Sequence, residues 1–239
     1  MQDTAFRRFF PSPKLQALSP PTRMDSQDTL ATELAASGIE FTAEQIERLD
    51  AYREQLWAWN EKLNLTRHTT HEKFVTRDVA DSLELSKLID RGHRVLDMGT
   101  GGGVPGLILA IIRPDLKVSV CESVGKKARA VEAMVADLAL PVVVFPSRAE
   151  DVLELSTFDT VVARAVASLR KILTWLEPHW DAFDQLLLIK GRSWAEERGE
   201  ARHHGLLKGL ELRKASTYTT PRTDAESVIL RINRPNLAD

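Results

Sequence analysis

The densest chemical signal in the chain is Asp97-Met98-Gly99-Thr100-Gly101-Gly102-Gly103-Val104-Pro105-Gly106. Glycines at this density let a backbone approach a ligand closely, and an apolar strand leads into them, which is where open α/β sheets bind ligands. Gly101, Gly103 and Gly106 fit the dinucleotide pattern G-x-G-x-x-G. Two features disfavour a dinucleotide: Gly99 and Thr100 stand inserted before that pattern, and Asp97 occupies the strand end. A pyrophosphate at a helix N-terminus is repelled by a neighbouring carboxylate, whereas the sulfonium and ammonium of S-adenosylmethionine tolerate one. The order D-x-G-x-G-x-G therefore favours S-adenosylmethionine over NAD, with Asp97, Gly99, Thr100, Gly101, Gly103 and Val104 forming the cofactor loop.

Glu122 lies 19 residues beyond Gly103, at the end of the next apolar run. A carboxylate there can accept hydrogen bonds from both hydroxyls of a ribose. NAD shares that feature, so Glu122 supports an adenosine cofactor without choosing one. Ala149 and Glu150 follow a third apolar run, where an adenine edge is read.

Other chemistries lack their residues. No zinc-ligand spacing, C-x-x-C pair or Ser/His/Asp elbow is present, and the six histidines form no cluster with ligand spacing, so no metal site is expected. Cys121 is the lone cysteine, which rules out an intramolecular disulfide framework. Lying mid-strand, it reads as a small buried apolar residue, against cytosine-C5 methylation through a covalent thiol. No N/D-P-P-Y/F segment follows the fourth strand, which disfavours amine methylation of adenine.

The elements that must position these residues follow from periodicity. Thr42 and Gln45 form a T-x-x-Q capping box with Phe41 and Ile46 as a hydrophobic staple, and Ile46, Leu49, Tyr52, Leu56, Trp59 and Leu63 recur at helical spacing. A shorter helix over 28–36 precedes it and helical pattern continues over 72–89, which predicts an N-terminal helical cap. Strands are expected at 94–97, 118–122, 142–145, 160–163 and 186–189, with helices between them. This alternation predicts a mostly parallel sheet buried on both faces. Runs at 212–218 and 228–232 predict a closing antiparallel pair. The expected architecture is a Rossmann-like α/β fold of the class I methyltransferase kind.

With 239 residues, 43% of them hydrophobic, the chain suits one globular domain plus an appendage. Its organisation is expected as a disordered tail or start-site extension over 1–26, a cap over 27–90 and a core over 91–239. The tail holds Pro11, Pro13, Pro20 and Pro21; its arginines hint at a transit peptide, and Met24 offers an alternative start. The apolar run Leu107 to Ile112 is far short of the roughly 18 residues a membrane span needs.

A formal net charge of −2 argues on its face against a nucleic-acid partner. The average misleads. Residues 25–125 carry 11 basic and 17 acidic residues, whereas 190–234 carry ten basic and six acidic. Lys126, Lys127 and Arg129 start the helix after Glu122, Lys190 and Arg192 follow a strand end, and Arg222 lies in the late hairpin turn. Gathered on one face with Arg77, they make a phosphate-binding rim.

Asn64-Leu65-Thr66, Arg77 with Asp81-Ser82-Leu83, the loop Asp97 to Gly106, Arg164-Ala165 and Lys190-Gly191 occur in that order. Together they resemble the RsmG family (glucose-inhibited division protein B), bacterial 16S ribosomal RNA guanine-N7 methyltransferases, over about residues 27–234. The resemblance implies S-adenosylmethionine as cofactor and 16S rRNA or the small ribosomal subunit as partner, with a cytoplasmic monomer as the working form. It implies that Gly99 and Val104 contact the methionine part, Glu122 the ribose, and Ala149 and Glu150 the adenine. Arg164 should face the cofactor or target base. Asn64, Thr66, Arg77 and Asp81 should bring the cap against the cofactor mouth, with Asn64 and Arg164 as positioning candidates. One position departs: Asp78 stands where the family usually carries His in H-x-x-D-S. Guanine N7 has an in-plane lone pair and no proton to remove, so alignment replaces a general base, and Asp97 reads as a positioning group. The competing classes are a methyltransferase of a small molecule or protein, an NAD-binding oxidoreductase, and a non-enzymatic RNA-binding module.

Overall fold

A computed structural model describes residues 28–235. The tail expected over 1–26 and the alternative start at Met24 lie outside the described residues.

Side-chain caps set the cap helices. Helix α1 (Leu30–Ala36) starts at Thr29 and α2 (Ala43–Leu63) at Thr42, each through a reciprocal capping box. In the second, the Gln45 amide donates to Thr42 Oγ1 at 3.2 Å and the Thr42 amide donates to Gln45 Oε1 at 3.0 Å. Phe41 and Ile46 pack against the same apolar cluster, as the staple predicts. Asn64 ends α2 in the left-handed region, at φ 49°, a conformation asparagine tolerates.

The segment expected as one helix over 72–89 is three pieces: α3 (His71–Lys73), a π-helical stretch Phe74–Val79, and α4 (Ala80–Ser86). The π-helical stretch buries Phe74, Val75, Thr76, Asp78 and Val79.

The core alternates β1 (Arg94–Met98), α5 (Gly106–Ile112), β2 (Lys117–Cys121), α6 (Gly125–Asp137), β3 (Val143–Phe145), α7 (Ala149–Leu155), β4 (Phe158–Arg164), α8 (Leu169–Leu176), β5 (Phe183–Lys190) and α9 (Trp194–His203). The hairpin β6 (Glu211–Thr219) and β7 (Glu226–Asn233) closes the chain. The sheet order is β3-β2-β1-β4-β5-β7-β6, with β7 antiparallel to both β5 and β6. This is the expected Rossmann-like arrangement, with the late strand inserted between its predecessor and β5.

Alternate residues along each strand serve opposite faces. Leu187 and Ile189 join the cluster that includes Leu49, Leu56, Leu107 and Ile108, so cap and sheet share one core. Leu186 and Leu188 join the cluster under α7, α8 and α9. The glycine loop, Glu122 and Arg164 all fall at the carboxyl ends of parallel strands.

Candidate active site

The loop between β1 and α5 is held from below by Asp97. Its Oδ2 accepts from Thr100 Oγ1 at 2.5 Å and from the Gly106 amide at 2.8 Å. The residue is fully buried, and burial pushes its carboxyl up from 3.8 to about 6 against those two hydrogen bonds. Its other oxygen, Oδ1, is buried without a hydrogen-bond partner.

From above, the cap holds the same loop. Tyr52 of α2, fully buried, donates from its hydroxyl to the Gly102 carbonyl at 2.9 Å. Gly103 sits at φ +102°, and a Cβ there would meet Leu107 Cδ1 at 2.7 Å and the Tyr52 hydroxyl at 3.1 Å. Its missing side chain makes room for the protein's own packing. Gly101 differs: it needs its left-handed φ of +61°, yet open space surrounds the position of an added Cβ. The loop is therefore open to a ligand at Gly101 and closed by packing at Gly103.

Glu122 faces that opening. Its Oε2 accepts from the Gly101 amide at 3.0 Å and its Oε1 from the Val124 amide at 2.8 Å. Each oxygen keeps a second lone pair, so the carboxylate suits a pair of vicinal hydroxyls. Beside it, Ala149 and Glu150 line a smaller recess with Gly99, Cys121 and Trp175. The Cys121 thiol is buried, and burial pushes it up to about 12, so it offers no thiolate.

A cleft of about 950 Å³ continues from Gly99–Gly102 and Glu122 to the cap residues Thr66, Arg77 and Asp81. Arg164, at the end of β4, lines it while reaching into the cap. Its Nη2 donates to Asp78 Oδ1 at 2.6 Å and its Nη1 to Asp81 Oδ2 at 3.2 Å. Tyr218 of β6 donates to Asp81 Oδ1 at 2.7 Å.

Residues 45–224 match the family described as rRNA small subunit methyltransferase G. The chain belongs to this family. It is 54% identical over 187 residues to ribosomal RNA small subunit methyltransferase G of Rhodopirellula baltica, covering 78% of this chain and 81% of the relative. With the protein of that name from Anaeromyxobacter sp. it shares 36% over 205 residues, covering 84% and 94%. In fold it is similar to MtNAS in complex with MTA and tNA (15% identical, TM-score 0.52, 78% of this chain and 70% of that one). It is likewise similar to M. capricolum TrmK in complex with S-adenosyl-homocysteine (17% identical, TM-score 0.51, 64% and 67%).

As a member of the rRNA small subunit methyltransferase G family, the chain places its sequence-derived site residues unevenly. Gly99, Thr100, Gly101, Val104, Glu122 and Arg164 line the main cleft. Asp97 and Gly103 support it from within the loop. Asn64 is exposed and serves as the α2 C-cap, while Leu65 packs beside Gly102 and Thr66 lines the cleft.

The cations also divide. Arg77, Lys127 and Lys190 line the cleft, but the Lys190 ammonium is bound by Glu197 Oε2 and the Ala167 carbonyl, each at 2.8 Å. Arg77 Nη1 donates to Thr220 Oγ1 at 3.1 Å. Lys126 and Arg129 are exposed at the start of α6. Arg192 is tied to the Asp224 carbonyl, and Arg222 is ion-paired with Glu33 of α1. The residues that sequence reasoning left out are Tyr52, Glu197, Tyr218 and His68. His68 Nδ1 lies 2.7 Å from Asp78 Oδ1, so an imidazole stands beside the departed family position all the same.

Proposed function

We propose that this chain transfers a methyl group from S-adenosylmethionine to N7 of a guanine in 16S ribosomal RNA. The observation that carries the reading is that one cleft joins the open face of Gly101 and the Glu122 carboxylate to the cap residues Thr66, Arg77 and Asp81. Bound S-adenosylmethionine supplies an electrophilic methyl group on its sulfonium.

The chain's own residues supply orientation. Gly99, Gly101 and Val104 take the methionine part, Glu122 accepts from the ribose hydroxyls, and Ala149 and Glu150 flank the adenine. Asp97 fixes the loop through Thr100 and Gly106. Arg164 sets the cap over the cleft by clamping Asp78 and Asp81. Guanine N7 presents a lone pair in the ring plane and no proton, so no side chain has to remove one. Holding the base in line with the methyl is the chief contribution, and such alignment is worth roughly 7–11 kcal/mol of barrier.

Lys127 and Arg77 at the cleft, with Lys126 and Arg129 on the adjoining α6 turn, form the phosphate-binding part of the rim. The reading includes action as a cytoplasmic monomer on 16S rRNA or the small subunit. Among the described residues no helix is long and apolar enough to cross a membrane.

The test is nucleoside mass analysis of 16S rRNA from a strain lacking the gene. One N7-methylguanine should disappear and return on complementation. An unchanged rRNA overturns the reading.

A further inference from the structure

His68 has a more defined setting than its place in a connecting loop requires. Its amide donates to Thr66 Oγ1 at 3.0 Å, and its carbonyl accepts from Trp57 Nε1 at 2.9 Å. Its Nδ1 lies 2.7 Å from Oδ1 of Asp78, a fully buried carboxylate that Arg164 also binds at 2.6 Å. The ring side chain is 26% exposed and lines the cleft that holds Gly101 and Glu122. Backbone and ring are thus fixed at three points before any substrate arrives, which reduces the ordering cost of a further bond.

A carboxylate only accepts, so Nδ1 donates to Asp78, and in the tautomer with its one ring hydrogen there Nε2 presents a lone pair. Nε2 has no partner among the described residues. The Watson–Crick edge of guanine carries donors at N1–H and the 2-amino group beside the O6 acceptor, whereas N7 lies on the Hoogsteen edge. Adenine offers its 6-amino donor but an acceptor at N1, so a lone pair placed opposite N1 accepts from guanine and rejects adenine.

We propose that His68 reads the target base: held by Asp78 through Nδ1, it accepts through Nε2 from N1–H on the Watson–Crick edge of guanine, which leaves N7 free to meet the methyl donor. This rests on the guanine-N7 reading above and adds the residue that selects and orients the base. The Asp78 carboxylate acts through His68 and is a positioning residue.

The experiment is single-turnover methylation of small-subunit rRNA by the full chain at saturating S-adenosylmethionine, beside calorimetry of cofactor binding. His68→Ala, His68→Lys and His68→Gln are compared. Loss of the acceptor in His68→Ala and His68→Lys should slow methylation about 10- to 100-fold while cofactor Kd stays within about twofold. His68→Gln keeps an acceptor oxygen and should retain most of the rate. A His68→Ala protein as fast as wild type overturns the proposal. So does a His68→Lys protein that matches wild type, which would make the residue a phosphate contact. A loss of cofactor binding in all three variants also overturns it, as a purely structural role. A wild-type chain that methylates no guanine in small-subunit rRNA overturns the parent reading, and this one falls with it.

Discussion

Arg164 at the end of β4 and Asp78 in the π-helical turn of the cap meet at 2.6 Å, 86 positions apart in the chain. The same guanidinium reaches Asp81 and the Arg77 carbonyl. Burial is the largest influence on Arg164 and works against its charge, yet the paired carboxylates more than offset it and hold the group above its ordinary value. The pair therefore fastens the cap to the strand that borders the cleft, and the fastening is electrostatic and largely buried.

Removing one partner of such a cluster leaves uncompensated buried charge. Arg164→Ala should lower unfolding free energy by about 3–5 kcal/mol in urea titrations. Arg164→Lys keeps the charge but loses the planar fork that spans both carboxylates, and should fall between the two. An Arg164→Ala protein within about 1 kcal/mol of wild type would show that the cap is held by its apolar contacts alone.

Tyr52 is the second tie between cap and loop. Burial raises its hydroxyl well above the ordinary tyrosine range, so it remains a neutral donor to the Gly102 carbonyl. Tyr52→Phe keeps the ring and deletes that bond, leaving a buried carbonyl unpaired at a cost of about 1–3 kcal/mol. Because the loop also forms the cofactor cleft, S-adenosylmethionine affinity should fall along with Tm. Calorimetry and a melting curve on the same preparation check both, and a change in Tm with unaltered affinity would separate the loop's fold from its binding.

Local signals carried most of the fold. The capping box at Thr42 and the apolar runs of β1, β2 and β4 depend on residues a few positions apart, and spacing exposes them. The π-helical turn was hidden because it obeys packing against Arg164 and not the helical period. The insertion of β7 between β5 and β6 was hidden because strand order depends on pairing partners and not on the strand's own residues. Lys190 illustrates the same limit at the site. Its strand-end position marks a cation for RNA, but Glu197 takes its ammonium after the chain turns into α9. Gly103 illustrates the converse, since the glycine pattern was legible while its reason, room for Tyr52 and Leu107, was not.

Glu122 couples the cofactor cleft to the loop, because its two oxygens already accept from Gly101 and Val124. Glu122→Ala removes those charge-assisted bonds and the acceptors for a ribose at once. Bonds to charged groups are worth about 1.5–3 kcal/mol each, so S-adenosylmethionine affinity should drop by at least about tenfold. Glu122→Gln retains one acceptor and should lose less. Equal affinity in wild type and Glu122→Ala, measured by calorimetry, would remove Glu122 from the cofactor site.

Asp97 makes the stability of the fold depend on pH in an identifiable direction. Its carboxyl titrates at about 6 in the folded chain against 3.8 as the ordinary value, because burial disfavours the charged form. Between those two values the folded state keeps a proton that the unfolded state releases, so stability falls as pH rises through this window and is level above it. A gap of this size corresponds to about 3 kcal/mol. Asp97→Asn keeps an acceptor for Thr100 and Gly106 but does not titrate. The stability of wild type relative to Asp97→Asn should therefore decline by about 3 kcal/mol as the pH of urea titrations is raised from about 4 to about 7. Asp115, held down at about 2 by Arg113, shifts stability in the opposite sense at lower pH, but it is present in both proteins and cancels in the difference. A difference that stays constant across this range would mean that the Asp97 carboxylate is solvated in the folded chain, and that the buried oxygen Oδ1 has found a donor.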